Sequence, residues 1–126
     1  MLMRNERAIL VAAAAPQEAY NLQRLLRQMG YLARMAATPG QVLEVMRREM
    51  VDQAIVAIEL TLAQEPVLAR LARLPCVQHL IATGPAGNVD METLARCAGA
   101  NVYLPRPAGI ESLAMAFHMS LAEKPP

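Results

Sequence analysis

Tryptophan is absent from this 126-residue chain, and only three tyrosines and one phenylalanine stand in for it. So few flat rings exclude a base-stacking platform for nucleic acid. Charge of one sign is missing too. Twelve Lys and Arg against eleven Asp and Glu leave a formal net charge of +1, too little to draw the chain to nucleic acid or an anionic membrane. Although 55% of the residues are apolar, no run approaches the roughly 18 residues of a membrane span. Cysteine is scarce: Cys76 and Cys97 have no motif spacing and read as plain buried thiols of a reducing compartment. The segment Met1-Leu2-Met3-Arg4-Asn5-Glu6-Arg7 lacks the small-residue cleavage site of a secretory signal, so a cytoplasmic protein is expected.

Reactive constellations are lacking as well. His79 and His118 have no second ligand at metal spacing and read as structural or surface histidines. There is no Ser/His/Asp or Cys/His set and no glycine-rich phosphate loop after the first strand. Gly84-Pro85-Ala86-Gly87 is turn chemistry. The expectation is a non-enzyme with no catalytic residue, no metal and no cofactor.

What is present is a regular alternation. Ala8-Ile9-Leu10-Val11-Ala12 is a continuous apolar run, as expected of a strand buried on both faces of a parallel sheet. Pro16 opens a helix, Leu22, Leu25, Leu26 and Met29 form its apolar stripe opposite Tyr20, Arg24 and Arg27, and Gly30 stops it. Four more cycles follow. Strands are expected at 31–36, 54–60, 77–82 and 102–104, with helices at 39–49 (capped by Thr38), 65–74, 89–98 and 109–122 and a loop at 61–64. Five βα units imply right-handed crossovers and an α/β, flavodoxin-like (βα)5 fold, a three-layer doubly wound sandwich. Residues 1–124 read as one domain, with 125–126 a tail or the start of a linker.

Gly99-Ala100-Asn101-Val102-Tyr103-Leu104-Pro105-Arg106-Pro107 resembles the last strand of response-regulator receiver domains, the CheY-like superfamily, in which Gly-Ala-Asp/Asn-x-Tyr-Leu-x-Lys-Pro is typical. Ile9 to Pro16 is similar to that family's apolar strand, acidic cluster and proline, and Gly30-Tyr31 with Ala36 to Gln41 fits its second strand and following turn. The resemblance implies a parallel sheet of order 2-1-3-4-5 and a site at the strand tips. There, two acids hold Mg²⁺, an Asp accepts phosphate, and a Thr/Ser and a Lys assist. At those positions this chain has Ala13 and Ala14 for the metal acids, Ala57 for the acceptor, Thr83 for the hydroxyl and Arg106 for the lysine. A register shifted by two would place Glu59 at the acceptor position instead, and it too lacks an acceptor Asp. Thr83 reads as a retained structural hydroxyl, and Arg106 either as a solvated rim residue or as an anion ligand. The Arg106–Pro107 bond is cis in relatives of this kind.

The implied function is a phosphorylation-independent pseudo-receiver, a protein–protein interaction or dimerisation module in bacterial signal transduction or transcriptional regulation. On the last helix Ile110, Leu113, Ala114, Phe117 and Leu121 form a covering stripe, which leaves Met115, Ala116 and Met119 outward. With Tyr103 they make the expected contact face, for a homodimer, a regulatory target or a neighbouring domain; the family commonly docks through this side. The alternative is a sensor of a small molecule or anion that uses the emptied pocket near Thr83 and Arg106.

Overall fold

Along the first strand, side chains alternate between two cores. Leu10 and Ala12 pack on one face of the sheet and Ile9 and Val11 on the other, all of them buried. The computed structural model describes residues 8–49, 51–62 and 67–122, without the side chains of 61–62 and 118–122. The elements are β1 (Ala8–Ala12), α1 (Pro16–Gln28), β2 (Leu32–Ala36), α2 (Pro39–Arg48), β3 (Val51–Ala57), α3 (Ile58–Leu62), α4 (Val67–Ala72), β4 (His79–Pro85), α5 (Val89–Cys97), β5 (Val102–Arg106) and α6 (Ile110–Ala122). All strand pairs are parallel, in the order β2-β1-β3-β4-β5. This is the expected flavodoxin-like sheet.

Each face is covered by its own helices. Leu22 and Leu26 of α1 join Leu113, Ala116 and Phe117 of α6 over Ile55, Ile81 and Leu104. On the other side Val42 of α2, Leu68 and Leu71 of α4 and Ala95 of α5 close over Ala54, Val56 and Leu80. At about 25 cal/mol per Å² of apolar area removed from water, these two layers supply the main drive to fold.

Local chemistry sets the element ends. Thr38 Oγ1 accepts from the Gln41 N–H, and Gln41 Oε1 accepts in return from the Ala37 N–H, a reciprocal cap like the capping box. Asn88 caps α5 by accepting from Met91 N–H. At the end of α1, the Gly30 N–H donates to Arg27 C=O and the Tyr31 N–H to Leu26 C=O, the Schellman arrangement. The same pair of bonds closes α5 around Gly99, whose φ is +117°.

Several expectations need correction. The third strand ends at Ala57 rather than at residue 60, and Ile58 begins a short helix. Ile58 and Leu60 are buried in this helix, so apolarity alone did not mark the switch. The fourth strand starts at His79 and runs on to Pro85. Cys76 and Cys97 are exposed free thiols, one in the turn before β4 and one at the end of α5. On α6, Ala116 is buried beside Leu113 and Phe117, whereas Ala114 and Ile110 are exposed. Methyl-sized Ala116 lies against the sheet, so it does not belong to an outward face. The side chains of Met119, His118 and Leu121, and the 125–126 tail, lie outside the described residues.

Candidate functional site

Parallel strands of this order bring their carboxyl ends to one edge, where the loops that follow them converge. Ala57 closes β3 and pairs with Thr83 on β4. Ala13 follows β1, buried, its N–H donating to Ala36 C=O at 2.9 Å, and Ala14 beside it is exposed. Arg106 ends β5, one strand over from Thr83.

The chemistry at this edge is an ion network whose acids come from elsewhere in the chain. Arg106 Nη1 donates to Glu18 Oε1 at 2.7 Å and to Glu59 Oε1 at 3.0 Å, and Arg106 Nη2 donates to Glu59 Oε2. Glu18 uses its second oxygen to accept from the Thr83 hydroxyl at 2.8 Å. Thr83 is fully buried, and no buried side-chain polar atom among the described residues lacks a partner. Glu18 sits in the first turn of α1 and Glu59 in the first turn of α3, where negative charge suits the helix dipole. The guanidinium beside it holds the Glu59 carboxyl below its usual range, against the opposing effect of burial. The bonds to Glu59, and the one to Glu18, push Arg106 up, so it stays charged at any ordinary pH.

Of the expected residues, the fold therefore brings Thr83 and Arg106 together with neighbours that the motif comparison passed over, Glu18 above all. Arg106 is part-buried and already held by two carboxylates, with two of its five N–H groups unused among the described residues. Both acids lie in the first turns of helices that follow strands, outside the motif positions. A divalent cation does not fit here. Ala13, Ala14 and Ala57 offer no oxygen side chain, the nearby carboxylates are engaged by a guanidinium, and no group of three metal-ligating side chains exists among the described residues.

Tyr103 points inward. Its hydroxyl donates to Pro85 C=O at 2.9 Å, and burial raises its phenol above the usual value. The ring lies where a Cβ on residue 84 would be, so Gly84 is required for this placement. Asn101 locks the start of β5 to β4, its N–H donating to Leu80 C=O at 2.7 Å while its Oδ1 accepts from Leu80 N–H at 2.8 Å. The Arg106–Pro107 peptide is cis, as expected. Beside the ion network a cleft of about 490 Å³ opens, lined by Gln17, Glu18, Asn21, Thr83, Arg106 and Pro107 among others. A smaller apolar groove of about 100 Å³ lies between α2 and α4.

Met115 is 59% exposed on α6, where Ile110 is exposed too, as are Val89 and Leu94 on α5. Tyr103, expected on that contact face, is buried instead. No helix among the described residues is long and apolar enough to cross a membrane.

No protein-family model and no curated protein sequence matches the chain. Solved structures do. A protein described as a response regulator from Chloroflexus aurantiacus aligns with a TM-score of 0.83 at 22% identity, over 94% of this chain and all of its own. The signal receiver domain of an HD domain-containing protein from Pseudomonas fluorescens gives 0.79 at 23%, over 94% and 96%. A CheY-like receiver domain protein from Methanospirillum hungatei gives 0.78 at 21%, over 94% and 96%. The chain thus has the fold of response-regulator receiver domains.

Proposed function

We propose that residues 1–124 form a receiver-like domain of bacterial signal transduction or transcriptional regulation that works in the cytoplasm without phosphorylation, by contact with another protein. One observation carries this reading. At the tips of the strands the cation of Arg106 is neutralised by Glu18 and Glu59, and Ala57 pairs with Thr83; Ala13, Ala14 and Ala57 stand where the resemblance puts the metal ligands and the acceptor. A methyl group cannot ligate Mg²⁺ or form an acyl phosphate. Incubation with acetyl phosphate, or with beryllofluoride and Mg²⁺, is expected to give no mass adduct and no amide chemical-shift change. A Mg²⁺-dependent response would overturn the proposal.

The contact is assigned to the exposed apolar side chains of α5 and α6, centred on Met115, as a homodimer or a docking face for a regulatory target. A second reading, a small-molecule sensor, is favoured by the cleft beside Thr83 and Arg106, whose size falls in the range of about 300–1,000 Å³ usual for ligand sites.

A further inference from the structure

We infer that the cleft between the start of α1 and the segment after β5 takes a small zwitterion of the α-amino acid type. Its ammonium would sit on Glu18, and its carboxylate on Arg106 and the first-turn amides of α1. This deepens the sensor reading and rests on it.

The charges of the cleft lead there. Glu18 and Arg106 line it side by side, 2.7 Å apart, so any ligand meets both signs at once. A simple anion drawn to Arg106 is repelled by the two carboxylates already on that guanidinium, and a simple cation drawn to Glu18 is repelled by Arg106. A molecule with both charges a few ångströms apart satisfies each. Hydrogen-bonding capacity remains for it. Among the described residues three of the five guanidinium N–H groups are used, and each Glu18 oxygen accepts one bond and has room for another. The N-cap of α1 is Ala15, which offers no side-chain acceptor, and Pro16 has no N–H, so the next amides are left for a carboxylate. Ala15, Leu22 and Ala108 supply apolar wall for a side chain, and the amides of Gln17 and Asn21 border the cleft. Because Thr83 binds Glu18 from beneath, a ligand on Glu18 is coupled to β4.

The test is thermal denaturation and titration calorimetry of the full chain with glycine, L-leucine and L-glutamine. The controls are 4-methylpentanoate and 3-methylbutylamine, which are leucine without its amine and without its carboxylate. At least one amino acid is expected to raise the midpoint by about 5–10 °C at a hundredfold excess over its Kd. Each single-charge control should bind at least tenfold more weakly than leucine. Glu18→Gln should erase the preference for leucine over 4-methylpentanoate. Asn21→Trp, at an exposed helix position, should fill the cleft and abolish binding in a protein that still folds. Binding of 4-methylpentanoate as tight as that of leucine would overturn the zwitterion assignment and leave the sensor reading standing. No response to any of the five compounds would overturn the zwitterion assignment. Unaltered binding by Asn21→Trp would place the ligand elsewhere and overturn the assignment.

Discussion

Glu18 has the most to lose of any side chain at the strand tips. Its side chain is 14% exposed, and it serves both the Arg106 guanidinium and the Thr83 hydroxyl. Glu18→Ala leaves a fully buried hydroxyl without its acceptor, so about 2 kcal/mol of stability should be lost, read by urea denaturation at pH 7. Glu59 faces Arg106 from the other side but is 50% exposed, so Glu59→Gln should cost only about 0.5 kcal/mol. That smaller effect has a pH signature. The carboxyl of Glu59 is depressed in the folded chain, so its contribution is complete above its ordinary value of 4.5 and is lost as pH falls through the lower folded value. The difference in urea midpoint between wild type and Glu59→Gln should therefore be constant near neutrality and close up in acid below 4.5. At this scale the sequence was only half readable. Thr83 and Arg106 were recoverable from the residues around them. Glu18 was not, because motif positions direct attention to 13 and 14, and its partner Arg106 lies 88 residues away.

Elements with polar contrast were legible, and those without it were not. The helix at 16–28 places its apolar stripe and its arginines on opposite sides, and Leu22 and Leu26 are buried as expected. In α6 every residue from Leu113 to Phe117 is apolar, so periodicity cannot choose between Ala114 and Ala116, and packing against Ile81 and Leu104 decides it. The β3–α3 junction was invisible for a related reason, since Ala54 to Leu60 reads as one β-rich run. By contrast the glycine of Gly99-Ala100-Asn101 has a plain structural role. Its φ of +117° and the approach of its α-hydrogen side to the Ala72 methyl leave no room for a Cβ. Gly99→Ala should combine backbone strain with collision against α4 and lower stability by about 2–3 kcal/mol, seen as a drop in the thermal midpoint. If the cost falls under 1 kcal/mol, the α5 cap is more compliant than the packing against Ala72 implies.

At the scale of the whole molecule, the strand order followed from alternation and from the resemblance. Met115→Glu places a charge on the most exposed large apolar side chain described on α6. If that side of α6 joins two copies, the sedimentation mass should fall from dimer to monomer with no change in the thermal midpoint of the monomer fold; equal masses for both proteins would refute the dimer. The guanidinium at the end of β5 has one more consequence. It is the rivet through which the openings of the first turn of α1 and of the short α3, far apart along the chain, become a single event. Amide hydrogens in those two turns should then exchange with deuterium in step, and Arg106→Ala should let each go at its own pace.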